Sequence, residues 1–213
     1  MSEILQRLNG MADSGYAVFH SRIANTKKRI LGVRMPDLRK ISKTLCYDDV
    51  KNESTEIYET VMLQGLTMAK LSYEEIKNLI PTVVKNFDSW AFVDCVVPSC
   101  KSLKTNVERA QIELFEICNV TEFFKRFYIV FVMDFCPTSS YAMDKIKQIK
   151  TGEYYVDMAI AWYISVLFAL DFKLALVYMQ SFSPVIQKMA IRKGLDSFRL
   201  TKEQKIHLKS LNI

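Results

Sequence analysis

Glycine and proline are scarce in this chain of 213 residues, at six and five, and histidine occurs only twice. A β-sandwich or barrel needs a turn signal every ten residues or so and would carry more of both turn residues. The two histidines, His20 and His207, stand almost a chain length apart, so no zinc ligand set is expected. The five cysteines (Cys46, Cys95, Cys100, Cys118, Cys136) form no CxxC pair, and their odd number argues against a disulfide framework. Long apolar runs are missing too. The most apolar stretches, 127–135 and 156–170, are broken or bounded by Asp134, Asp157 and Asp171, short of the roughly 20 uninterrupted residues of a membrane span. Met1-Ser2-Glu3-Ile4 shows no basic segment leading into an apolar one, so no secretory signal is expected. These absences predict a protein of the reducing cytoplasm without membrane association.

Whole classes of chemistry drop out by the same route. Without a glycine-rich run there is neither a phosphate loop nor a dinucleotide fingerprint. Neither histidine lies near a Gly-x-Ser-x-Gly turn, which removes the hydrolase triad. No cysteine has a basic or histidine neighbour that would activate its thiol.

What is present points to helices. Half the residues are apolar and 24% are charged, an ordinary globular balance. Apolar positions at three- and four-residue spacing predict helices over 2–13, 14–24, 36–46, 54–70, 73–86, 88–99, 106–118, 121–135, 139–149, 153–169, 171–181, 184–198 and 201–211. Ser72 before Tyr73-Glu74-Glu75, Thr121 before Glu122 and Thr201 before Lys202-Glu203 read as helix starts. Pro36, Pro81 and Pro184 are expected near helix beginnings, and Gly152 at a break. Short links make neighbouring helices antiparallel. About six pairs of roughly 35 residues suggest a degenerate α-solenoid, with an irregular single-core helical domain as the alternative. No linker divides residues 1–213, so one domain is expected.

Charge is uneven along the chain. The total is +6, yet residues 22–43 alone carry +7, residues 184–213 carry +5, and the stretch 44–183 is net acidic. Such asymmetry suits a polyanion partner, or else solvated faces of a mildly basic protein.

Three segments could carry chemistry. In Asp88-Ser89-Trp90-Ala91-Phe92-Val93-Asp94-Cys95, helical spacing puts Trp90 and Asp94 on one face. A carboxylate at the edge of such an apolar region needs a basic partner or a cationic ligand; packing of the indole and bonding to a helix terminus is the plainer alternative. In Glu122-Phe123-Phe124-Lys125-Arg126-Phe127, an arginine among aromatics needs a carboxylate, a phosphate or an aromatic face. In Tyr154–Tyr163, Trp162 lies mid-helix among small residues, and Ala159 and Ala161 would admit close helix approach.

The order Trp90, Asp94, Arg126, Trp162, with Ile30-Leu31-Gly32-Val33-Arg34-Met35-Pro36-Asp37-Leu38-Arg39 ahead of it, resembles the AlkD-like family of DNA alkylation repair proteins. The closing Gln187–Lys193, Asp196-Ser197-Phe198-Arg199 and Glu203-Gln204-Lys205 are similar to that family as well, so the likeness runs over essentially the whole chain. The resemblance implies an all-α solenoid of about six HEAT-like helical pairs whose basic concave face holds duplex DNA. It implies excision of cationic N3- and N7-alkylated purines by a monomer that needs no metal or cofactor. Carried over, Asp94 is the catalytic carboxylate, Trp90 and Trp162 are walls of the lesion cleft, and Arg126 is the basic residue beside it. Arg39 matches a contact to the DNA backbone; Arg34, Lys43, Lys125 and Lys188 are added from charge and position. Tyr16 and Phe19 are both candidates for a third cleft aromatic, and Ser165 stands where active relatives are expected to carry a base. Some relatives bind unusual DNA structures without excision, which leaves a non-catalytic binder of branched or distorted DNA as the second reading. A protein-interaction scaffold is the third.

Overall fold

The computed structural model describes residues 2–211. Among them no strand forms, and the one β-type contact is an isolated bridge between Arg29 and Ile57. The chain is all-helical: α1 (Glu3–Gly10), α2 (Ser14–Ala24), α3 (Met35–Thr44), α4 (Tyr47–Val50), α5 (Tyr58–Met68), α6 (Tyr73–Val83), α7 (Trp90–Val96), α8 (Lys101–Thr105), α9 (Val107–Cys118), α10 (Glu122–Phe135), α11 (Ser140–Gln148), α12 (Tyr154–Leu170), α13 (Phe172–Met179), α14 (Pro184–Asp196) and α15 (Lys202–Ser210).

Several starts follow from local chemistry. Ser72 and Glu75 close a capping box on α6, and Thr201 with Gln204 does the same on α15. Thr121 precedes α10 as predicted but makes no side-chain cap bond. Gly152 takes φ +103°, a left-handed turn between α11 and α12 that suits glycine. The single-turn helices α4 and α8 were not expected, because one turn is too short to show a 3.6-residue period. Pro81 departs from its predicted place at a helix beginning: it sits in the last turn of α6, on the exposed side, and the helix gives way to a 3-10 turn at Val84–Asn86. A proline strands the carbonyl four residues earlier, a loss that solvent can make good on an exposed face.

The described chain divides into two compact units, residues 1–110 and 111–213. In the first, every residue of α5 is buried, and α3, α4, α6 and α7 pack on it. In the second, α12 packs against α10, α13 and α14, and α14 against α15. Alternate helices therefore stack within each unit, as α3, α5, α7 and as α10, α12, α14, a pattern compatible with an α-solenoid.

A buried acid organises the first unit. Glu59, on α5, has no exposed surface. Its carboxylate accepts the backbone N–H groups of Leu31, Gly32 and Val33 at 2.8 to 3.2 Å. Converging amides replace the water such a charge would otherwise need. The turn requires glycine twice over: Gly32 has φ +94°, and a Cβ there would lie 2.1 Å from the Asp13 carbonyl oxygen. Three other polar residues of α5 are also satisfied, Thr60 by the Ile57 carbonyl, Gln64 by those of Val50 and Glu53 and Thr67 by that of Leu63, whereas the buried Tyr58 hydroxyl has no hydrogen-bond partner.

Replacing Glu59 with alanine strands three buried donors, and we expect a loss of about 3–5 kcal/mol. Glu59→Gln keeps one acceptor and should lose less. Urea midpoints followed by circular dichroism check the order; equal midpoints for Glu59→Ala and the parent would contradict this role for the carboxylate.

Candidate functional site

The segment that stands out in the sequence, Asp88-Ser89-Trp90, docks on the end of α2. Asp88 accepts the Thr26 hydroxyl at 2.6 Å and the Lys27 amide at 2.9 Å. The Ser89 hydroxyl donates to the Ala24 carbonyl and accepts the Ala91 amide, which caps α7. The Trp90 indole N–H donates to the Ile23 carbonyl at 3.0 Å. Three consecutive side chains thus take up carbonyls and amides where α2 ends in left-handed Asn25.

Trp90 is half-buried, and so is Asp94 one turn further along α7. The shared face predicted for this pair is present, with Ala91, Phe92 and Val93 buried behind it. The exposed Arg39 reaches the end of the same helix: Nη1 donates to the Ser99 hydroxyl at 3.1 Å and Nη2 to the Cys95 carbonyl at 3.4 Å. Cys95 lies between the two charges. Burial pushes its thiol up, Arg39 opposes that, and Asp94 adds to it.

Beside this cluster, Arg34 Nη2 pairs with Asp13 at 3.1 Å, and its guanidinium sits 4.5 Å above the Tyr16 ring. Both charges are well exposed, so the pair is worth at most about 1 kcal/mol. Of the two candidates for a third aromatic, Tyr16 is held between Arg34 and His20, whereas Phe19 is more than half exposed on the same helix. Lys43 is exposed on α3.

The second unit treats its predicted residues differently. Glu122, Lys125 and Arg126, in the first turns of α10, all seize the start of α12. Glu122 accepts the Tyr155 amide at 2.7 Å, Lys125 pairs with Glu153 at 2.6 Å, and Arg126 Nη1 donates to the Tyr155 carbonyl at 2.9 Å. Lys125 is 6% exposed and Arg126 5%. Lys125 is therefore withdrawn from the expected backbone contacts: its charge is sequestered by Glu153 and cannot meet a phosphate in this conformation. Arg126 finds the acceptor its apolar surroundings demand in a backbone carbonyl, which puts it inside the unit as a clamp on α12. Lys188 is exposed on α14.

Trp162 borders a cleft of about 670 Å³ in the second unit, shared with Asp134, Ser165, Lys193, Asp196 and Arg199. Lys193 Nζ stands 6.0 Å from the centre of the indole, within reach of a cation–π attraction. The Ser165 hydroxyl turns back to the Trp162 carbonyl at 2.7 Å. Ala159 and Ala161 are buried, as close helix packing requires. Lys193 and Arg199 were visible in the closing segment but had no cleft assigned to them, and Asp134 registered only as a break in an apolar run. Trp90, Asp94, Arg34, Arg39 and Lys43 thus belong to the first unit, and Arg126, Lys125, Trp162 and Lys188 to the second. No group of three or more His, Cys, Asp or Glu among the described residues is placed to hold a metal.

His20 is 8% exposed between the Tyr16 and Tyr58 rings, and neither of its nitrogens has a hydrogen-bond partner. Burial lowers its pKa below the ordinary 6.5, with the charge on Glu59 opposing. The unfolded chain binds this proton more readily than the folded one, so stability is full above pH 6.5 and falls as the pH drops below it. The urea midpoint should decrease between about pH 7.5 and 5.5, and His20→Phe should flatten that dependence; an equally steep decrease in the variant would assign it to other groups.

No family model, no curated protein and no solved structure matches the chain.

Proposed function

We propose that the chain binds duplex DNA and excises cationic N3- and N7-alkylated purines. The observation that carries this reading is the pair on α7: a partly exposed carboxylate one helical turn from a partly exposed indole, with an exposed guanidinium anchored at the same helix end. An alkylated purine bears a positive charge, which weakens its glycosidic bond and makes the base a good leaving group without a general acid. The electron pair of the C1′–N bond passes to the departing base and neutralises it. The sugar left behind has oxocarbenium character. Asp94 would stabilise that charge and orient a water toward C1′, taking up the proton the water loses. The Trp90 face would attract the cationic base by about 0.5–2 kcal/mol, more as water is excluded. No metal or cofactor enters this scheme.

Arg39 supports the backbone role. Its guanidinium has five N–H donors, and the bonds to Ser99 and Cys95 fix its plane while leaving others for a phosphate. Arg34, Lys43 and Lys188 are exposed cations of the kind that neutralise phosphates. The stacking of alternate helices within each unit is compatible with an α-solenoid; about six HEAT-like pairs, a basic concave face and a monomeric state are the further parts of this proposal. Five free thiols suit a reducing cytoplasm as its place of work.

One observation favours the second reading, a non-catalytic binder of branched or distorted DNA: Arg126, the basic residue expected beside the lesion, is spent on the backbone of α12. Release of 7-methylguanine from methylated duplex DNA separates the two. The glycosylase reading expects release by the parent protein and at least about a hundredfold less by Asp94→Asn, with DNA affinity within a factor of two or so. Equal loss of affinity and activity would remove Asp94 from catalysis. The absence of release by either protein would leave the binder, whose log K should fall by about 0.9 per phosphate contact for each tenfold rise in salt.

A further inference from the structure

The loop between α14 and α15 holds an aromatic ring in open solvent. Phe198 is 102% exposed, whereas other exposed large apolar side chains reach 67% at most. Its flanks are well tied down. The Ser197 amide donates to the Gly194 carbonyl at 3.1 Å, and the Arg199 amide to the Ser197 hydroxyl at 3.2 Å. Leu200 is buried, and Thr201 enters the capping box of α15. The backbone on both sides is anchored while the ring between them touches nothing, so the ring stabilises nothing in the folded chain.

Its neighbours say what it could meet. Ser197 and Arg199, on either side, line the Trp162 cleft together with Lys193 and Asp196. The segment 184–213 that supplies them carries +5. A bare aromatic ring whose chain neighbours border a cleft with two cations and an indole matches the side of a nucleic acid: bases stack on rings of any sequence while cations follow the phosphates. The carboxylates Asp134 and Asp196 disfavour a phosphate at the cleft floor, but they are suitable acceptors for the amino group of a cytosine or adenine. Both would also repel an anionic membrane surface. A single phenyl ring is far too small a patch to hold a second copy of the chain.

We propose that Phe198 is a stacking wedge that enters a weakened base step of bound duplex DNA while Arg199 and Lys193 hold the adjoining phosphates. Apolar side chains of this kind part a base step at an unstacking cost of about a few kcal/mol, a cost that is least at a damaged or mispaired base. The wedge is thus a specificity-determining residue that reports pair stability, separate from Asp94 and its chemistry. The proposal rests on the DNA-binding part of the reading above and is independent of base excision.

The test is equilibrium binding at low salt of the parent protein, Phe198→Ala and Phe198→Trp to two short duplexes. One is fully paired and the other carries a G·T mismatch beside 2-aminopurine. The parent should prefer the mismatched duplex and change the 2-aminopurine emission on binding. Phe198→Ala should bind that duplex about five- to a hundredfold more weakly, lose the preference and leave the emission unchanged, while Phe198→Trp restores all three. Full exposure of the ring means that neither variant threatens folding. Unchanged affinity and emission in Phe198→Ala would overturn the wedge and leave DNA binding standing. Failure of the parent to bind either duplex would overturn the DNA reading itself. If Phe198→Ala instead loses only binding to phosphatidylglycerol vesicles, or only self-association in light scattering, the wedge is overturned in favour of an anchor or an interface.

Discussion

A carboxylate with no exposed surface can persist in a helical core only where fixed donors stand in for water, and in the first unit that condition shapes much else. Glu59 draws the amides of residues 31–33 onto α5. The chain must turn sharply to present them, and Gly32 makes the turn while lying against the Asp13 carbonyl at the start of α2. Arg34 emerges from the turn toward Asp13 and Tyr16, and α3 begins at the next residue. The placing of α2, α3 and their connecting loop therefore descends from one acid. That loop also sets the approach to α7, since the end of α2 is what Asp88, Ser89 and Trp90 hold.

Each unit presents one tryptophan to solvent, with opposite companions. Trp90 has a carboxylate one turn away and a guanidinium beyond it. Trp162 has two cations and two acids around an open cleft. An indole face favours positive charge, so the first arrangement suits a cationic group, whereas the second sets charges of both signs around its ring.

Legibility in the sequence followed the range of the interaction. Helices with both an apolar stripe and a local cap, such as α6 with its Ser72–Glu75 box, could be placed to within a few residues. Trp90 and Asp94 could be put on one face from spacing alone. The need for an acceptor near Arg126 was equally plain, but the acceptor is the Tyr155 carbonyl, and a backbone carbonyl has no sequence signature. Lys125 looked like any surface lysine because its partner Glu153 lies 28 residues ahead. Glu59 drew no notice, since nothing local distinguishes a buried glutamate from an exposed one in a helical run. The Ile30–Arg39 segment stood out only through its family resemblance; that its amides at residues 31–33 are the complement of this acid had no local sign.

The attachment of α2 has a consequence for how the chain comes into being. The side-chain bonds to the carbonyls of its last turn, at Ala24 and Ile23, come from residues 65 and 67 positions downstream. During synthesis, at roughly 5–20 residues per second, the first helices emerge and wait several seconds with their terminal carbonyls open to water. The bonds from Ser89 and Trp90 can form only when the segment carrying them clears the ribosome. Closure of the α2 end is thereby a late event of synthesis, and a translational pause before residue 88 would leave that end unlatched.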